Sequence, residues 1–296
     1  MWNTRGGLAE AAERYHHAID LREAAIQQNP NDVLTRRSLM ITYGNLGGNL
    51  GNPLYMNLGD FAGAREYYGK ALAIARDLAK ADSQNMLAQY DLAQALFLYS
   101  ILDFPKEEWP SSLELLRESD GIFQKLLVAD PKAISRLRPL AGVVEYEGRR
   151  LEGLGKRADA IVQYRRSIDL VSKGLEHDPS DLSSVSQLLV SQGALAEALA
   201  HEGDNSAALT TVKAAVARAE RASSESERAR MAPYVSMAYL SLASVQEISG
   251  NWNEARAAAQ RAVDGYHQLA ASGRRVKAAD VTRAETLLQE CVAHLR

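Results

Sequence analysis

Cysteine occurs once in the 296 residues, at Cys291, so the chain cannot close a disulfide within itself. That fits a reducing compartment, and a packed place in the last helix is the expected role of the lone thiol. With 4 phenylalanines and 3 tryptophans, and with valine and isoleucine also sparing, the aromatic and β-branched supply that a sheet core draws on is thin. No apolar run approaches the roughly 18 residues of a membrane span. The opening stretch Met1 to Asp20 carries Arg5, Glu10, Glu13, Arg14 and Asp20 and so lacks the apolar core of a signal peptide. A soluble, cytoplasmic chain without membrane contact is the expectation. One sign of charge does not dominate either: 34 basic and 37 acidic residues are interleaved, for a net charge of -3. No continuous positive surface is available to neutralise a phosphate backbone, so nucleic acid is not an expected partner.

What is abundant is Leu, Ala, Glu, Arg and Gln, side chains that lose little freedom in a helix, which points to an all-α protein. Its organisation is a repeat. A small residue, an aromatic or apolar residue four places on, and a second small residue three further fall on one helical face, and this triplet recurs six times. The instances are Ala11, Tyr15, Ala18; Ala64, Tyr68, Ala71; Ser112, Leu116, Ser119; Ala160, Tyr164, Ser167; Ala208, Val212, Ala215; and Ala255, Ala259, Ala262. Their first members lie 53, 48, 48, 48 and 47 residues apart.

Five residues before the first member stands Gly6, Gly59, Gly155, Gly203 or Gly250, with Glu107 as the exception. Glycine tolerates the left-handed conformation just past a helix end, and Asp60, Asp204 and Asn251 follow as N-cap candidates, so each site reads as a tight helix-to-helix turn. Pro30, Pro131 and Pro179, nineteen residues after a first member, end the second helix of a unit. Two helices per period give about twelve: 8–28, 31–50, 60–81, 84–102, 111–129, 133–154, 156–177, 181–202, 204–222, 225–249, 251–271 and 276–295.

These features together resemble the tetratricopeptide repeat, whose first helix carries W-x2-L-G-x2-Y and whose second carries a small-aromatic-small face. Leu195, Ala196 and Leu199 stand where the family's Leu, Gly and Tyr would; Tyr239, Leu242 and Ala243 match its Trp, Leu and Gly; Gly148 and Leu151 do the same one unit earlier. The resemblance implies an open, right-handed superhelical solenoid of antiparallel hairpins forming a single domain over 1–296. Its units would be 1–29, 30–82, 83–130, 131–178, 179–223 and 224–272, with a capping helix at 275–296. The family unit is about 34 residues and this one about 48, so each helix gains about seven residues; two near-complete turns rotate the apolar seam by only about 20° and leave the packing logic intact. Gly59 to Asp82 is similar to long-helix repeats in regulatory regions of bacterial serine/threonine protein kinases. A covalently linked upstream kinase or signalling domain is the expectation that follows.

Other motifs weaken on inspection. Gly44, Gly47, Gly48 and Gly51 have no preceding strand and no following Lys-Ser pair, so they read as a relaxed helix end running into Asn52 to Met56 and not as a phosphate loop. His201 and Glu202 open like a zinc-protease helix, but Asn205 occupies the second histidine's place; His16 with Asp20, or Glu13 with His17, offers too few ligands for a metal. Phe104 and Trp109 in the rewritten turn Phe104 to Pro110 either cover a hairpin or meet a partner. Trp252 is expected on the preceding helix.

The resemblance places the first helix of each hairpin on a concave groove. Carried onto this sequence, the groove-facing positions are Gln94, Phe97, Glu145, Arg149, Glu152, Glu197, His201 and Glu247. Their carboxylates suit a basic or amphipathic protein or peptide ligand, and Arg149 nearly alone cannot form the family's clamp for acidic tails. A non-enzymatic interaction module without cofactor or metal, regulatory or scaffolding within a larger bacterial signalling protein, is the expected function. The alternative is a glycosidase-like enzyme on a closed α/α toroid, which needs two carboxylates roughly 5 to 10 Å apart across a cleft lined with aromatics.

Overall fold

The structure, a computed structural model, describes residues 4–54, 56–102, 104–221, 224–274 and 276–296, with side chains from residue 7 onward. Of the residues singled out above, Tyr55, in the run after the Gly44 to Gly51 cluster, lies outside them. Twelve α-helices are present among the described residues: α1 (Thr4–Gln28), α2 (Val33–Gly51), α3 (Phe61–Ala81), α4 (Met86–Ser100), α5 (Trp109–Ala129), α6 (Leu137–Gly153), α7 (Arg157–His177), α8 (Leu182–His201), α9 (Asn205–Ala219), α10 (Glu225–Ile248), α11 (Trp252–Ala271) and α12 (Ala278–His294). The all-α expectation holds, and the helices fall within a turn of their expected bounds.

The helix ends follow from side-chain chemistry. Asp32 accepts from the amides of Leu34 and Thr35 at 3.0 and 3.1 Å, Asp60 from Gly63 at 2.8 Å and Asp204 from Ala207 at 3.1 Å, each satisfying donors that the first helical turn leaves open. Gly59, Gly155, Gly203 and Gly250 adopt φ of 81, 77, 85 and 77°, as the turn reading requires, whereas Gly6 sits inside α1. Asn251 occupies the capping position, but its side-chain amide donates to Gln246 Oε1 instead of accepting from the helix. Helix α6 starts four residues later than expected, after a short 3-10 turn at Ile134–Arg136. Pro139 explains the delay: lacking an N–H, it is tolerated where the first turn has no acceptor to satisfy.

The contacts divide the chain into two compact units, Met1–Tyr146 and Glu147–Arg296. In the first, α2 packs on α1 and α3, and α4 on α3 and α5. The glycine cluster of α2 has a packing role that the sequence reading missed. Gly47 lies where a Cβ would stand 3.1 Å from the Tyr68 ring, and a Cβ on Gly51 would stand 2.9 Å from that of Ala64. The cluster is helical through Gly51 and brings α2 close against the triplet face of α3, and Asn52 Nδ2 closes the contact by donating to Tyr68 Oη at 2.7 Å. Phe104 is buried beneath Arg65, whose guanidinium lies 4.7 Å from its ring, and Trp109 Nε1 donates to the Phe104 carbonyl at 2.9 Å. Both aromatics thus close the α4–α5 hairpin.

In the second unit α8 packs on α7 and α9, while α10 packs on α9, α11 and also α8; α12 then packs on α11 and α10. First helices therefore neighbour first helices, with second helices behind them. The triplets show the same logic in both units. All members on α3, α5, α7, α9 and α11 are buried, and those on α1 are half-buried. Cys291 is buried, and burial together with Glu247 and Glu290 pushes its thiol pKa up. Trp252 stacks on His294 of the following helix α12 with centroids 3.8 Å apart.

Candidate functional site

Each unit holds part of the expected groove set. In the first, Gln94 on α4 is half-buried and donates to Tyr90 Oη at 3.0 Å; Phe97 is buried edge-on against Tyr146 with centroids 5.7 Å apart; and Glu145 is 1% exposed. In the second, Arg149 and His201 are exposed and Glu152, Glu197 and Glu247 are half-buried. Glu152 accepts from Tyr164 Oη at 2.9 Å, and Arg157 Nε lies 3.7 Å from its other oxygen. Glu197 on α8 receives Arg283 from α12 at 2.8 Å, and the same guanidinium nitrogen reaches Ser244 Oγ on α10 at 2.9 Å. Arg283 thus ties three first helices of the row together. Such half-exposed ion pairs contribute little to stability, about 0 to 1 kcal/mol, and can exchange for a partner's charges at small expense.

A second feature of this unit was not visible in the sequence. Helices α3, α5 and α7 run 21 residues and α11 runs 20, but α9 runs 15. Helix α10 in turn runs 24 residues. Its start is set by Ser224, whose Oγ accepts from the Glu227 amide at 3.1 Å, as in a capping box. The first turns of α10 consequently pass the end of α9, with α11 beside them. A solvent-open hollow of about 760 Å³ remains, lined by the end of α9, the first half of α10 and the second half of α11. That volume lies within the few hundred to about 1,000 Å³ typical of ligand sites.

Met231 and Leu269 are buried in its wall, with Ala232 and Val235 half-buried beside them. Gly265 lets α11 approach α10: a Cβ there would stand 2.3 Å from Ser236 Oγ. Charge gathers at the rim as Arg228, Arg261 and Arg274 against Glu220 and Asp264. Arg261 is committed, 3.4 Å from Glu220 and 4.2 Å from the Tyr239 ring centre. Arg274 is placed by a backbone defect. Pro233, inside α10, has no N–H to offer the carbonyl four residues back, that of Ala229, and the Arg274 guanidinium donates to that oxygen instead. Neither Arg228 nor Arg274 has a carboxylate partner among the described residues.

Tyr239 also lines the hollow. Its hydroxyl donates to Glu220 Oε1 at 2.6 Å, and burial, then that bond and the Glu220 charge, push its pKa up to about 12 against a small opposing effect of Arg261. The folded state therefore holds the phenolic proton more tightly than the unfolded chain does. The stability this contributes is present below about pH 10 and is lost as pH rises toward about 12. Phenolate absorbance should show Tyr239 ionising near that upper value, and Glu220→Gln should move the transition down; an unshifted titration at the ordinary tyrosine value would contradict the contact.

Paired antiparallel helices repeat in series along the chain, a helical-repeat fold. Residues 48–85 match the tetratricopeptide repeat family. No curated protein sequence matches the chain. Among solved structures, the chain is similar to BtubC (BKLC) from P. vanneervenii, at 15% identity and a TM-score of 0.57, over 91% of this chain and 94% of that one. It also aligns with MamA at 16% identity and a TM-score of 0.42, over 73% and 98% of the two chains. YrrB, described as a TPR protein with an unusual peptide-binding site, aligns at 17% identity and a TM-score of 0.34, over 82% and 91%. The likeness to BtubC extends to the fold, an all-α repeat of the tetratricopeptide kind. Among the described residues, no helix is long and apolar enough to cross a membrane.

Proposed function

We propose that the chain is a protein–protein or protein–peptide interaction module, a regulatory or scaffolding part of a bacterial signalling protein. The observation that supports this reading is the side-by-side packing of α8 and α10, with α12 against α10, in the second unit. Such a row presents side chains from several helices to one extended ligand, which is how a stack of hairpins without a closed cleft recognises a partner. The contacting residues in this reading are Arg149, Glu152, Glu197, His201 and Glu247, whose carboxylates suit a ligand carrying Lys or Arg that replaces Arg157 at Glu152 and Arg283 at Glu197. Gln94, Phe97 and Glu145 belong to the corresponding helices of the first unit and are more covered.

A displayed library of random peptides, selected on the purified chain, tests it. Enriched peptides should carry basic residues, bind saturably as synthetic peptides, and weaken at least about fivefold when Glu247→Lys and His201→Lys are combined. A library that yields no saturable binder would remove the interaction-module reading altogether.

A further inference from the structure

We propose that the hollow between α9, α10 and α11 is a second binding site, and that it takes a short amphipathic helix of a partner protein with an acidic flank. The inference rests on the interaction-module reading and adds a place and a ligand chemistry to it.

The shape argument comes from the repeat. The second helices α3, α5, α7 and α11 run 20 or 21 residues; α9 stops at Ala219 after 15. About six residues of helix are missing from that position, which is nearly two turns or roughly 9 Å of rod. The vacated place is bounded by α10 on one side and α11 on the other, two helices already held at close range by Gly265 against Ser236. A third rod laid in the groove between two packed helices is the arrangement the rest of the unit uses. A partner helix there completes a layer that the chain itself leaves short.

The chemistry is fixed by floor and rim. Met231, Ala232, Val235 and Leu269 offer an apolar strip to residues spaced three and four apart on the incoming helix. At the rim three arginines face two acids, and one of those arginines, Arg261, is already paired with Glu220. Arg228 and Arg274 remain against Asp264, an excess of one positive charge that attracts carboxylates. Cations beside an apolar strip favour an acidic amphipathic helix over a basic one, which is opposite in sign to the ligand expected at the row of first helices.

The test uses two displayed libraries of helix-stapled peptides on the full chain, identical except that one carries Glu and the other Lys on the polar flank. The acidic library should enrich binders that lose at least about tenfold in affinity to Arg228→Glu and to Ala232→Trp, which fills the hollow. A Lys-flanked counterpart of the best binder should regain affinity for Arg228→Glu, a charge-swap that a misfolded variant could not produce. Acidic-flank binders indifferent to both substitutions, or no enrichment from the acidic library while random peptides still bind at the row of first helices, would overturn the site and leave the interaction-module reading standing. Failure of every library would overturn both.

Discussion

Tyr164→Ala should destabilise the second unit by about 3 to 5 kcal/mol, read as a drop in the urea or thermal midpoint. The ring is the aromatic of the fourth triplet and is 0% exposed on α7. Removing it deletes the transfer free energy of a large side chain and leaves a cavity that the neighbouring helices, held by their own triplets, cannot fully close. The substitution also takes a donor from Glu152, which accepts the Tyr164 hydroxyl at 2.9 Å. Tyr164→Phe separates the two contributions: it keeps the packing and should lose only about 0.5 to 1.5 kcal/mol. A full-sized loss with phenylalanine would place the stabilisation in the hydrogen bond.

Gly148→Leu should act on the same contact from the other side. A Cβ on Gly148 would stand 2.5 Å from Cε1 and 2.7 Å from Cδ1 of Tyr164, closer than real atoms come, and both atoms belong to a buried ring with nowhere to turn. Either α6 and α7 separate locally or the ring leaves its rotamer, and overpacking of this kind costs about 1 to 3 kcal/mol or more. Gly174, where an added Cβ meets nothing within 4 Å, is the control: Gly174→Ala should be neutral or slightly stabilising through helix propensity.

How far the sequence foretold this arrangement differs from element to element. The small-aromatic-small triplets were legible because close approach of two helices demands short side chains at fixed intervals, and that demand leaves a period in the chain. The turn glycines were legible for the same kind of reason, since only the left-handed conformation joins the helices so tightly; four of the five flagged there adopt it. The late start of α6 could have been read from Pro139, which belongs in a first turn.

The hollow left less trace. From Ala208 to Ala255 the spacing is 47 residues, almost the normal period, so nothing in the count shows that α9 stops short while α10 starts early. Ser224 followed by Glu227, and Pro233 inside an otherwise helical stretch, were the available signs, and their meaning depends on Arg274 finding the Ala229 carbonyl, a contact 45 residues apart. Burial of the proposed groove residues was hidden likewise. Glu145 looks like part of a solvated face by composition, yet it is buried, at 1% exposure.

A double-mutant cycle on Gly148→Leu and Tyr164→Ala puts the pairing of helices through small residues to the most direct trial. If the α6 glycine exists to admit the α7 ring, removing the ring makes room for the leucine, and the double variant should be more stable than the summed losses by at least about 1 kcal/mol. Strictly additive losses would mean that the two residues do not meet, and the hairpin pairing on which the repeat is built would fall with that result.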